Sequence, residues 1–251
     1  MKANPTEREN KILSLLSEHS GISVAQISER LHVSAVTVRN DMRSLAGKGF
    51  VIRLKGGAFP AFHESVLERQ KQMVREKTRI AKAAAALISD GDHLMIVAST
   101  TSTLIVKYLL DKRDIHIVTN STLVLPYVRI NPSLTVTVVG GEFRPATESI
   151  VGPVALKELE HFHVKYAFIG CDGFSRENGV TAELIDGAEV VKKMAQQADE
   201  RVLVVDSSKY GKAGFAYIMP TEQMDRIITD DALPPDAALE LQDRGIKLEL
   251  V

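Results

Sequence analysis

Six Val/Ile-rich runs with little polar alternation, near residues 93–98, 115–119, 134–139, 165–169, 201–205 and 226–229, constrain this chain more than any other feature. A strand with one wet face alternates apolar and polar residues, whereas a near-continuous apolar run marks a strand covered on both faces. Helical patterns fall between the runs, near 102–111, 122–130, 153–161, 187–198 and 235–243. A strong helix precedes them, opening at Glu76-Lys77 with Ile80, Ala84, Leu87 and Ile88 on one side. Strand and helix in alternation predict an α/β domain over 76–251. Its sheet is expected to be doubly wound and mostly parallel, with a short last strand at 246–250.

The first 58 residues follow a different pattern, that of a winged helix-turn-helix. Ile12, Leu15 and Leu16 recur at helical spacing over 6–18. Ser23 with Gln26 has capping-box spacing ahead of a second helix with Val24, Ile27 and Leu31 inward. After the turn His32-Val33, Ser34 caps a third helix with Val38, Met42 and Leu45 as its buried stripe, ended by Gly49. A helix-turn-helix is thus predicted over about 22–45, and residues 50–58, with their Gly-Gly turn, read as a wing. Residues 59–75 read as a polar, partly helical linker.

Charge agrees with this division. The chain carries a formal net charge of -1, yet residues 1–58 hold nine basic residues against five acidic ones. A basic head on an acidic body suits phosphate attraction at one end. On the third helix, Arg39 and Asn40 have the hydrogen-bonding groups to read guanine and adenine edges, with Arg43 beside them. Ser34, Thr37 and the helix start can hold a phosphate, while Arg53 and Lys55 of the wing grip the flanking backbone. The plainer alternative is a set of solvated helices in a protein-interaction module.

In doubly wound folds ligands collect outside the carboxyl ends of the strands. Polar turns stand at those positions: Ser99, Thr100, Thr101 and Ser102; Asn120 and Ser121; Gly140, Gly141 and Arg144; Asp172 and Gly173; and Lys209. Hydroxyls, amides, a cation and a carboxylate on one rim fit a small phosphorylated polyol. Taken singly, the hydroxyls read as helix caps, the glycines as backbone geometry and Lys209 as a solvated surface group. Cys171, the one cysteine, is a structural thiol or a redox sensor with no second cysteine to resolve it. His161 and His163 lack an obvious third metal ligand, and no cofactor is implied.

Several of these residues together resemble the DeoR family of bacterial sugar-metabolism repressors. In the head they are Arg8, Ile12, Leu15, Val33-Ser34, Thr37-Val38-Arg39, Asp41, Leu45, Gly49, Arg53 and Gly56-Gly57-Ala58. In the body they are Glu76-Lys77, Ile80-Ala81, Thr119-Asn120-Ser121, Gly140-Gly141, Gly170, Asp172-Gly173, Gly179, Thr181 and Asp206-Ser207-Ser208-Lys209. The resemblance implies a sensor similar in fold to ribose-phosphate isomerase, glucosamine-phosphate deaminase and the CoA transferases. It also implies a sugar-phosphate effector with its phosphate near residues 99–102 and Lys209 close by. The chain departs from the family at Asn40, where a second arginine is usual, and at Lys55, where histidine is. It departs again at Val97 and Ser99, within the family's Asp-x-Gly-Ser-Thr run.

The expected function is therefore a transcriptional repressor of a sugar or carbohydrate catabolic operon. Its partners are a double-stranded DNA operator, a phosphorylated sugar and further copies of itself, as a homodimer or homotetramer. The cytoplasm is the expected location: no apolar run approaches the roughly 18 residues of a membrane helix, and the N-terminus is polar. The competing reading is a sugar-phosphate isomerase or deaminase with an accessory DNA-binding head, for which Asp172, Glu183 and Asp186 are the candidate acids and bases.

Overall fold

The computed structural model describes residues 5–19, 22–48, 50–54, 57–60 and 63–251. Lys55, Gly56 of the wing turn and the helix-breaking Gly21 and Gly49 lie outside the described residues, as does the side chain of Arg53. The chain divides into two compact units, Met1–Gln72 with Pro145–Thr147, and Met73–Arg144 with Glu148–Val251.

The first unit opens with α1 (Glu7–Glu18), α2 (Val24–Leu31) and α3 (Ala35–Lys48). Each start is chemically specified. Thr6 with Glu9 and Ser23 with Gln26 form capping boxes, and the amide of Thr37 donates to Ser34 Oγ at 3.1 Å. His32 ends α2 in the left-handed region at φ 53°, which makes the turn short. Ile12, Leu16, Ile27, Val38, Met42 and Leu45 meet in one core. β1 (Val51–Leu54) and β2 (Gly57–Pro60) pair antiparallel as the hairpin, with Arg53 opposite Ala58. The stretch expected to be a polar linker contains α4 (Glu64–Lys71), which buries Val66 and sends Leu67 into the helical core. Val66 stands two positions from the nearest charged residue and Leu67 one, too short an apolar pattern to stand out in a polar segment.

The second unit is built on a seven-stranded parallel sheet. In chain order its elements are α5 (Val74–Ala86), β3 (His93–Ile96), β4 (Ile115–Thr119), α6 (Leu125–Val128), β5 (Leu134–Val138), β6 (Glu142–Arg144) and β7 (Ser149–Val151). Then come α7 (Pro153–Leu159), β8 (Val164–Ile169), β9 (Gly173–Ser175), β10 (Gly179–Ala182), α8 (Ile185–Gln196) and β11 (Ala198–Val204). The chain ends with β12 (Ala216–Met219), β13 (Arg226–Thr229), α9 (Pro235–Asp243) and β14 (Lys247–Leu250). The large sheet runs in the order β14-β13-β11-β8-β3-β4-β5 with every pair parallel.

Both faces of this sheet are dry, and the two cores show it. Met95, Ala167, Ile169 and Leu203 enter one core, while Leu94, Ile96, Phe168, Val202 and Val204 enter the other. Period-two alternation between two apolar environments is what removes polar alternation from the sequence. From its centre the chain winds outward on one side through β3, β4 and β5, and on the other through β8, β11, β13 and β14. The strand order therefore reverses between β3 and β8, which opens a crevice at their carboxyl ends.

Four features differ from the pattern in the sequence. The helix predicted over 102–111 is a 3₁₀ segment, Ser102–Tyr108. Its start is tightened by side chains bonding backward, Ser102 Oγ to the Val97 carbonyl at 2.5 Å and Thr103 Oγ1 to the Ser99 carbonyl at 2.6 Å. The helix predicted over 122–130 shrinks to a 3₁₀ turn, Thr122–Val124, and the four-residue α6. The β6–β7 ribbon and a three-stranded antiparallel sheet in the order β12-β10-β9 have no counterpart in the predicted pattern.

Candidate functional site

The exposed side of α3 is made by default. Val38, Met42 and Leu45 are buried, so Arg39, Asn40 and Arg43 face solvent. Val36, 63% exposed, adds an apolar group of the kind that meets a thymine methyl. Ser34 and Thr37 stand at the start of the same helix, their hydroxyls 2.8 Å apart. Arg39 makes no hydrogen bond or ion pair among the described residues.

Two ion pairs hold α3 against α1, and sequence patterning singled out neither. Arg8 clamps Asp41 through Nε–Oδ2 at 2.6 Å and Nη2–Oδ1 at 3.0 Å. Lys48 Nζ reaches Glu9 Oε2 at 2.7 Å, with Glu9 only 2% exposed. Burial alone would raise the Glu9 pKa. Hydrogen bonds from Lys48, Ser44 and the Thr6 amide, with the Lys48 charge, outweigh it and bring the pKa down to about 2. A carboxylate with a depressed folded pKa contributes stability above its unfolded value, and that contribution is lost as pH falls through the folded one. The window here runs from about 4.5 down to about 2. An NMR titration of the Glu9 carboxyl is expected to give a midpoint near the lower limit and a weakening of the α1–α3 pairing across that window; a midpoint at or above 4.5 would contradict the ion-pair geometry.

In the second unit the loops after β3 and β8 meet at the crevice. A Cβ on Gly170 would lie 2.3 Å from Ser99 Oγ, so only glycine leaves room for that serine. Ser99 Oγ in turn accepts from the amides of Thr101 and Ser102, at 3.3 and 3.0 Å, and lies 2.8 Å from Ser102 Oγ. The amides that the sequence suggested were free are thus engaged by this chain's own serine. Thr101 and Ser102 are buried, and Thr100 is half-buried beside them.

Asn120 ties the neighbouring loop in place. Its Oδ1 accepts from the Ala98 amide at 2.8 Å and its Nδ2 donates to the Ile150 carbonyl at 3.1 Å. Ser121 Oγ accepts from the Leu123 amide at 3.2 Å, a capping contact. Gly140, Gly141 and Arg144 are engaged by contacts of their own in and just before the ribbon. The Gly140 amide donates to Glu158 Oε2 at 2.6 Å, and Gly141, at φ 140°, packs its α-carbon against the Val151 carbonyl. Arg144 is held by Asp186 at 2.8 Å and Glu142 at 3.0 Å.

On the β8 and β11 side, Asp172 Oδ2 accepts from the Glu183 amide at 2.9 Å, and Gly173 lies against the Lys212 carbonyl. Lys209 is half-buried, and among the described residues its ammonium makes no hydrogen bond or ion pair. Burial and the nearby charges of Asp172 and Asp206 push the Cys171 thiol well above its usual range, with Lys209 opposing them. A shift in that direction favours the protonated thiol over the nucleophilic thiolate. Two further carboxylates anchor the rim. Asp206 is 2% exposed and accepts from Ser208 Oγ. Asp230 is 0% exposed and accepts from the Ser207 amide, Ser207 Oγ and the Ala232 amide. Asp206 stands in the turn that the sequence already marked, and Asp230 directly follows the Val/Ile-rich run 226–229, the same signal, which could have marked it too.

A winged helix-turn-helix joined to a parallel α/β unit with a crevice at its carboxyl edge has the make-up of a transcriptional regulator. Residues 8–61 match the DeoR-like helix-turn-helix domain and residues 72–231 the DeoR C terminal sensor domain. The chain belongs to the DeoR family of transcriptional regulators. It is 32% identical over 249 residues to the uncharacterized HTH-type transcriptional regulator YulB of Bacillus subtilis (strain 168), covering 98% of this chain and 96% of that one. Identity to the HTH-type transcriptional repressor GlcR of the same strain is 33% over 247 residues, with 96% and 95% covered. A putative aga operon transcriptional repressor of Escherichia coli O157:H7 is 29% identical over 252 residues, with 98% and 94% covered. Among solved structures, a D-ribose-5-phosphate isomerase in complex with phospho-erythronic acid overlaps 53% of this chain and 52% of its own, at 16% identity and a TM-score of 0.39. Among the described residues no helix is long and apolar enough to cross a membrane, and no group of three or more His, Cys, Asp or Glu could hold a metal ion.

Proposed function

We propose that this protein represses a sugar or carbohydrate catabolic operon and that a phosphorylated sugar, bound at the carboxyl edge of the parallel sheet, controls its hold on DNA. The observation that carries the DNA-binding part is the division of α3 into a buried apolar stripe and an exposed face bearing Arg39, Asn40 and Arg43. In this reading Ser34, Thr37, Arg53 and Lys55 hold phosphates while the exposed face enters the major groove. A dimer or tetramer in the cytoplasm presents two such helices to paired half-sites. The relatives named for the aga operon and as GlcR favour a carbohydrate context.

The ligand reading is supported by Lys209, a half-buried cation whose ammonium makes no hydrogen bond or ion pair among the described residues. Asp172 and the 99–102 loop line the same edge. A ligand that prefers one arrangement of the protein shifts its DNA affinity by that difference in affinity. The test is a gel shift on an operator fragment, titrated with sugar phosphates, alongside thermal-shift measurements with the same panel. At least one sugar phosphate is expected to raise the melting temperature and change operator affinity. Lys209→Ala is expected to weaken that ligand by about tenfold while leaving operator binding intact, since a hydrogen bond to a charged group contributes about 1.5–3 kcal/mol. Full response in Lys209→Ala would remove Lys209 from the site. Asp186 is paired with Arg144 and Glu183 is exposed, so the panel is expected to be returned unchanged. Isomerised or deaminated product would overturn the regulatory reading.

A further inference from the structure

On the exposed face of α3, Arg43 Nη1 donates to Asn40 Oδ1 at 2.8 Å. An asparagine reads adenine with both ends of its amide, the oxygen accepting from N6 and the nitrogen donating to N7. In this protein the oxygen is turned along the helix toward a guanidinium one turn away. With one lone pair of Asn40 Oδ1 taken by Arg43, the pair meets a base edge mainly through N–H groups, those of Asn40 Nδ2 and the remainder of the Arg43 fork. Guanine presents two acceptors, N7 and O6, whereas adenine sets an N6 amino donor beside N7. A surface dominated by donors matches both guanine acceptors, whereas at adenine it matches N7 but sets a donor against the N6 amino group. We propose that Asn40 and Arg43 act as one recognition unit that selects a G·C pair at the step they face. The inference rests on α3 being the groove-reading helix. It also gives a physical meaning to Asn40: bonded to Arg43, it turns its oxygen along the helix and presents its Nδ2 donors beside the Arg43 fork.

The test is selection of bound sequences from a random duplex library with the full-length protein, its Asn40→Ala, Arg43→Ala and Asn40→Arg variants and the double variant Asn40→Ala with Arg43→Ala, followed by titrations on the selected site. Both side chains are exposed, so the variants are expected to melt with the parent protein. The two alanine variants are expected to lose preference at the same base pair, and that pair is expected to be G·C in the parent selection. Exchanging it for A·T is expected to weaken the parent by about tenfold, each alanine variant much less, and the double variant no more than a single one. Asn40→Arg is expected to keep the G·C preference. An A·T pair at this step, or alanine variants that relax two different base pairs, would overturn the proposal. So would a uniform loss of affinity without change of preference, which would mark the pair as a phosphate clamp. Failure to enrich any duplex would overturn the DNA-binding reading itself, and is told apart because no selected site then exists.

Discussion

Arg39→Ala is expected to lower operator affinity by about 1–3 kcal/mol, roughly 5- to 150-fold, without unfolding the head. Arg39 is exposed on α3, beside the buried Val38, and makes no ion pair among the described residues. Alanine is also the better helix former, so α3 keeps its shape. The loss is thus confined to what the guanidinium touches. If Arg39 reads guanine through O6 and N7, the variant relaxes preference at one base pair. If it sits on a phosphate, binding weakens evenly across sequences and the slope against salt falls by about one. Gel-shift titrations at several salt concentrations, on the operator and on a single-base variant of it, separate the two. Unchanged affinity would remove Arg39 from the interface.

What made α3 legible is that its determinants are local. The serine cap, the apolar stripe and the polar outer face all fall within one helix, and each is visible at fixed offsets. The contacts that aim the helix are not local. Arg8 meets Asp41 across 33 residues and Lys48 meets Glu9 across 39, and no periodicity connects such pairs. Asp41 belongs to the recurring letters of the helix, yet only the fold shows that it is a tether to α1.

The α/β unit divides the same way. Strands buried on both faces announce themselves, as Leu94, Met95 and Ile96 do by entering opposite cores in succession. The ribbon and the small antiparallel sheet are built from strands of three or four residues, most of them beginning at or lying next to a glycine; β6–β7 and β9–β10 are joined by short turns, and β12 joins from far along the chain. Such segments have too few positions for an alternation to register. At the rim, residue types were legible but their commitments were not. Ser99 closes over two amides that the sequence offered as a cradle, and Arg144 is taken up by Asp186, 42 residues away. A side chain's chemistry is printed in the sequence, while the partner that has already claimed it is known only from the fold.

Asp230 shows how much stability the rim commits to holding one turn. Its carboxylate is fully buried and accepts from the Ser207 amide at 2.7 Å, from Ser207 Oγ at 2.7 Å and from the Ala232 amide at 3.2 Å. The first two fix the 3₁₀ turn Ser207–Lys209, which carries Lys209. Asp230→Ala leaves those donors buried without an acceptor, and each hydrogen bond to a charged group is worth about 1.5–3 kcal/mol. The variant is expected to lose about 3 kcal/mol or more of stability in the α/β unit, read from the denaturant transition of the full-length protein. Asp230→Asn keeps one acceptor oxygen but turns an amino group toward a donor, so it is expected to fall between the parent and alanine. Because the turn loosens with the loss, any ligand that depends on Lys209 is expected to weaken in both variants in the same order. An Asp230→Ala protein within about 1 kcal/mol of the parent, well under the loss these bonds predict, would show that the buried carboxylate does not hold the turn.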